Sequence, residues 1–140
     1  EILDWKKKLI YSVQPQKNFR MHLNNEEITL IYNSENEKDK KTLAYAMSLN
    51  RKINKQDISC VRVSDTLFEL MMESMSTAAK SVFNRADPFY QEHMKGRELS
   101  NSEYLEYLKR RPDLLGAPVA MYRGKVVMCN TPTDVLKIIT

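Results

Sequence analysis

Residues 28–40, Ile28-Thr29-Leu30-Ile31-Tyr32-Asn33-Ser34-Glu35-Asn36-Glu37-Lys38-Asp39-Lys40, change character part-way. The first five are β-branched, aliphatic or aromatic, the composition of a strand buried on both faces. Asn33 to Asp39 is polar and turn-like. From Lys40 to Asn50, Leu43, Ala46, Met47 and Asn50 recur at helical spacing, which predicts a helix with Leu43 and Met47 on its inner face. A second strand is expected over Ile53–Ile58, where two isoleucines bracket polar residues. Strand, loop, helix and strand in this order open an α/β fold.

The middle of the chain reads as helical. Ser64 or Asp65 can cap a helix whose inner face is Leu67, Leu70, Met71 and Met75, and Ser76 can cap a next one with Ala79, Val82 and Phe83 inward. Met71, Met72 and Met75 could make an adaptable surface, but core filling is the commoner use of methionine and is the expectation. Ser100-Asn101-Ser102-Glu103 has the S-x-x-E form of a capping box ahead of Tyr104, Leu105, Tyr107 and Leu108. That helix ends near Arg111, because Pro112 disfavours helix at the residue before it. Strands return at Pro118–Tyr122 and Val126–Cys129, joined by a tight Arg123-Gly124-Lys125 turn. Thr131 or Thr133 can cap a last helix with Val135, Leu136 and Ile139 inward.

The 140 residues fit one domain, and 42% hydrophobic with 29% charged residues suffices for one core. No apolar run approaches the roughly 18 residues of a membrane span, and the N-terminus lacks a secretory pattern, so a cytoplasmic protein with no membrane partner is expected. Net charge is +4, of which residues 1–25 hold +3 through Lys6, Lys7, Lys8, Lys17 and Arg20 against Glu1 and Asp4. The rest is nearly neutral, which argues against a nucleic-acid partner despite a pI near 9.0. Residues 1–25 are expected to be an irregular or loosely packed N-terminal extension, with Met21 an alternative start. Residues 26–140 are expected to form the domain, with a helical insert over about 64–112.

Cys60 and Cys129 form no CxxC pair, and His22 and His93 stand alone, so neither a metal site nor a cofactor is expected. For both cysteines the expectation is a small buried residue or an idle thiol.

The order βαβ, helical insert, ββα describes a thioredoxin-like fold, and three stretches resemble the arsenate reductase and Spx-type family. Ile28–Ser34 is similar to that family's first strand and loop, Y-N-P-x-C-x-x-C/S-R. Arg111-Pro112-Asp113-Leu114-Leu115-Gly116-Ala117-Pro118-Val119 is similar to its P-x-L-L-x-R-P-I/V. Val127–Leu136 resembles its L-C-R-P-x-E-V-L ending. The resemblance implies a cis Pro118 before the third strand, facing the active-site loop.

The chain departs from the family where the chemistry lies. The family's thiolate is stabilised at a helix N-terminus, where backbone N–H groups and the helix dipole lower its pKa. Asn36 occupies the nucleophile's position, Asp39 that of the second Cys or Ser, and Lys40 that of the arginine. Glu35 and Glu37 make the loop more acidic. The oxyanion-binding arginines are replaced by Ala117 and Asn130, and Arg85 matches a third basic position only loosely. Nucleophile and anion ligands do separate jobs, so their joint loss argues against arsenate reduction.

The expectation is therefore a non-catalytic protein that binds a protein or peptide along a vestigial groove of Asn33, Ser34, Asn36, Ala117, Pro118 and Asn130. Phe89, Tyr90, His93, Arg97, Tyr104 and Tyr107 are further candidate surface contributors. The alternatives are an Spx-like regulator contacting RNA polymerase, without its CxxC switch, and a glutaredoxin- or arsenate reductase-like oxidoreductase using Cys60 or Cys129.

Overall fold

The structure is a computed structural model of the chain and describes residues 26–75 and 79–139. The N-terminal extension and the cap expected at Ser76 lie outside the described residues. Strand β1 (Glu27–Tyr32) is central in a four-stranded sheet of order β2-β1-β3-β4, with β2 (Lys52–Asp57) parallel to it and β3 (Val119–Tyr122) antiparallel. β4 (Lys125–Met128) pairs antiparallel with β3.

Alternation along β1 sends its side chains into two cores. Ile28, Leu30 and Tyr32 join Ala46, Ala120, Cys129, Val135 and Ile138 on one face. Ile31 joins Phe68, Met71, Leu108, Leu114 and Val119 on the other. The sheet is thus covered on both sides, which accounts for the nearly continuous apolar run in β1.

Helix α1 (Glu37–Met47) covers the first face. It begins three residues before the predicted Lys40, because Asn36 caps it: the Asn36 side chain accepts from Lys38 N at 2.9 Å. The earlier start does not change which residues share a face, but the inward face differs from expectation. Asp39, Thr42 and Ala46 are buried, Leu43 is half-buried, and Met47 is 53% exposed.

The insert between β2 and β3 covers the second face. Helix α2 (Asp65–Ser74) is capped by Ser64, whose hydroxyl accepts from Leu67 N at 3.1 Å. Met71 is fully buried and Met72 and Met75 pack against the same core, as the core reading required. A 3-10 turn (Ala79–Val82) leads to Phe83, which bridges Leu115. Helix α3 (Pro88–His93) is capped by Asp87. Helix α4 (Asn101–Arg110) starts with the predicted capping box, Glu103 N donating to the Ser100 hydroxyl and Ser100 N to the Glu103 carboxylate. A 3-10 turn (Pro112–Leu114) leads toward β3.

Two C-terminal expectations are corrected. The bond before Pro118 is trans, as are all peptide bonds among the described residues. Trans is the lower-energy form by about 0.5–1 kcal/mol, and a proline just ahead of a strand needs no N–H. The Pro118 carbonyl already accepts from Cys129 N at 2.8 Å, so the β3–β4 ladder is entered without a cis bond. Leu136 is 37% exposed, not inward. The last helix (Pro132–Ile138) is 3-10, and three residues per turn place Val135 and Ile138 on one face instead. No helix among the described residues is long and apolar enough to cross a membrane.

Candidate functional site

The sheet registers gather the predicted groove residues at one end. The last β1–β3 pair is Ile31 with Val119, and the last β3–β4 pair at that end is Val119 with Met128. Asn33 just after β1, Ala117 and Pro118 just before β3, and Asn130 just after β4 therefore lie at the same end of the sheet. Ala117 and Pro118 are buried, Asn33 is half-buried, and Asn130 is exposed.

The β1–α1 loop is held by its own polar groups. Asn36 N donates to Asn33 O at 3.0 Å, Glu35 N to the Asn33 side chain at 2.9 Å, and Asn33 N to Asp39 Oδ2 at 2.9 Å. The β1–β3 ladder ends at the Ile31–Val119 pair, short of Asn33 and Ala117.

Asp39 faces inward from the first turn of α1 and is 8% exposed. Burial raises its pKa above the ordinary carboxyl value, and the Asn33 N–H only partly offsets this. Lys40 is exposed and ion-paired with Glu37 at 2.9 Å.

Sequence reasoning passed over Asp57, which ties the β1–α1 loop to the end of β2. Its Oδ1 accepts from Ser34 N at 3.1 Å, Ser59 N at 3.0 Å and the Ser59 hydroxyl at 2.8 Å. Burial opposes its charge, but the Ser34 and Ser59 donors outweigh that and hold the carboxyl well below its usual range. An aspartate at a strand end two residues before a serine was the available signal, since Asp accepts locally from N–H groups that follow it.

The two thiols differ. Cys129 is 2% exposed, and burial first, with Asp134 and Asp39 adding to it, pushes its pKa up to about 12. Cys60 is exposed and its thiol donates to Asp57 Oδ2 at 3.3 Å. Neither sulfur stands at the N-terminus of α1, where Asn36 is the cap.

The aromatic residues of the insert divide likewise. Tyr90 and Tyr104 are buried beside Phe83. Phe89 and Tyr107 are half-buried, and His93 and Arg97 are exposed. The Phe89 ring lies 4.6 Å from the His93 ring in a tilted arrangement and is covered by the Arg111 guanidinium at 4.9 Å. Arg85 is exposed, and its carbonyl accepts from the Gln91 side chain. No group of three or more His, Cys, Asp or Glu among the described residues could hold a metal ion.

An arsenate reductase from Vibrio cholerae superposes with a TM-score of 0.72 at 17% identity, covering 82% of this chain and 99% of that one. The chain has the fold of the arsenate reductases. An arsenate reductase-related protein from Brucella melitensis gives a TM-score of 0.61 at 12% identity over 84% of this chain and 98% of that one. No family model and no curated protein sequence matches the chain. In this arsenate reductase-like fold the α1 N-terminus bears an asparagine.

Proposed function

We propose that the chain is a non-catalytic protein of arsenate reductase-like fold that binds an extended segment of a protein partner in the groove beside Asn36 and Pro118. The observation that carries this reading is the α1 N-terminus itself. Asn36 caps it with its own side chain, so the place where this fold would stabilise a thiolate holds no nucleophile. Both thiols lie elsewhere, one buried and one bonded to a carboxylate. The position of Asn33, Ala117, Pro118 and Asn130 together at one end of the sheet supports the binding half of the reading.

Two measurements test it. Thiol-coupled arsenate reduction and disulfide exchange should proceed at the background rate, and Cys60→Ser and Cys129→Ser should leave that rate unchanged. Turnover abolished by either substitution would make the protein an oxidoreductase. A photo-crosslinking amino acid at Asn36 should capture a specific protein from extracts of the source cell, and the same group at Asp113 should not. Capture of RNA polymerase subunits would turn the reading toward an Spx-like regulator.

A further inference from the structure

Strand β4 uses only half of its backbone. Cys129 N donates to Pro118 O, and the β3–β4 register continues through Ala120 with Val127 and Tyr122 with Lys125. Antiparallel alternation therefore turns the N–H and C=O of Lys125, Val127 and Cys129 toward β3. Those of Val126 and Met128 point the other way, off the margin of the sheet, because β4 is its end strand. No hydrogen bond reaches them from the described residues.

The side chains of β4 suit a covered margin. Val126, Val127 and Met128 are all half-buried. Val126 and Met128 pack toward the core of the insert, and Val127 packs toward the other core. The strand has no proline and no break in its register, and Lys125 is its one charge. The opposite margin, β2, carries Lys52, Lys55 and Asp57. Charges, prolines and bulges are what keep a margin single, so β4 is the less protected of the two.

We propose that β4 pairs antiparallel with β4 of a second copy of this chain, about a two-fold axis at Val127. Such an interface sets the same strand against itself, and its outward groups must meet outward groups. With Val127 opposite Val127, each Val126 faces Met128 of the other copy, and both exchange backbone hydrogen bonds. The neighbouring registers fit worse. Centring on Val126 would set Lys125 against Val127 and Met128 against Gly124. Centring on Met128 would set Val126 against Asn130. Only the Val127 axis matches every apolar side chain of β4 with another.

Charge agrees with this register. It keeps the two Lys125 side chains apart and sets each opposite Cys129 of the other copy, on the face that Cys129 and Val127 share. Asp134 is the charge that acts most strongly on Cys129, so the lysine arrives beside a carboxylate. Each copy contributes one margin, and β2 with its lysines lies at both outer ends. The assembly therefore closes as a dimer instead of growing. A strand of four residues makes a small contact, so association is weak and concentration-dependent.

The test begins with amide hydrogen exchange of the full chain from micromolar to millimolar concentration. Val126 and Met128 N–H groups should gain protection as concentration rises, while those of Ala120 and Val127, already bonded within the hairpin, should not change. Sedimentation equilibrium should show monomer passing to dimer over the same range. In a Cys60→Ser background, Val127→Cys places two thiols across the axis at about 4.5 Å between Cα atoms, within disulfide reach. Lys125→Cys leaves its pair about 13 Å apart along the strands. Val127→Cys should therefore form an intermolecular disulfide about tenfold faster than Lys125→Cys. A monomer at every concentration, or exchange at Val126 and Met128 independent of concentration, would overturn the proposal. Equal crosslinking by the two variants would overturn the Val127 axis.

Discussion

Asp39 and Asp57, on either side of one loop, should respond to pH in opposite senses. The folded pKa of Asp39 is raised by burial. Its contribution to stability is therefore full below the unfolded carboxyl pKa and is lost as pH rises through the folded value. Asp39→Asn should raise stability at neutral pH by about 1 kcal/mol, with the gain fading in acid, as read by urea denaturation across pH. Asp57 has a lowered folded pKa despite the opposing effect of burial, so its contribution is present above the unfolded pKa and lost as pH falls. Asp57→Asn should cost about 1–2 kcal/mol at neutral pH and little in strong acid. The thiols make a second residue-scale case. With Cys129 held near pKa 12, iodoacetamide at neutral pH should label native protein on Cys60 alone, and both cysteines only after denaturation, as mass spectrometry would count.

Among the elements, those announced by local chemistry were the legible ones. The Ser100–Glu103 capping box and the Arg123-Gly124 turn are reciprocal or steric devices that one short stretch encodes in full. The inward face of α1 was not legible. An apolar-only periodicity selects Leu43 and Met47, whereas the buried positions include an aspartate and a threonine that answer to the loop and sheet around them. The last helix departs for a related reason: a 3.6-residue period selects Leu136 and Ile139 beside Val135, whereas the 3-10 segment buries Val135 and Ile138. Nor could the sequence place Phe83 against Leu115. Asn84 N donates to Leu114 O at 2.7 Å and Gly116 N to Val82 O at 2.8 Å, tying the insert to the approach of β3. A Cβ on Gly116 would lie 3.0 Å from the backbone of both Phe83 and Asn84. Gly116→Val should therefore force this junction apart and destabilise the protein by about 1–3 kcal/mol, measured by thermal or chemical melting.

For the whole molecule, topology was readable because it follows from the order of elements, while the groove was readable only as a set of positions. The sequence could name Asn33, Ala117 and Asn130, but their gathering at one end of the sheet depends on strand pairings that no local pattern specifies. The two cores share the sheet, with Leu30 and Ile31 adjacent in sequence and buried on opposite faces. Emptying either face should therefore weaken the whole domain. Leu108→Ala, in the insert, should cost about 2–5 kcal/mol, with helix and sheet signals lost in one transition.

Among the described residues, β2 and β4 each have a strand partner on one side only. Such margins can recruit copies of themselves into growing ribbons. Lys52 and Lys55 on β2 and Lys125 on β4 are exposed, and their like charges oppose any such stacking. Replacing Lys55 by valine would remove one of these guards and leave a β-prone stretch beside Ile53. Sedimentation should then reveal more concentration-dependent self-association than in the parent chain, strongest at the salt levels that screen the remaining lysines.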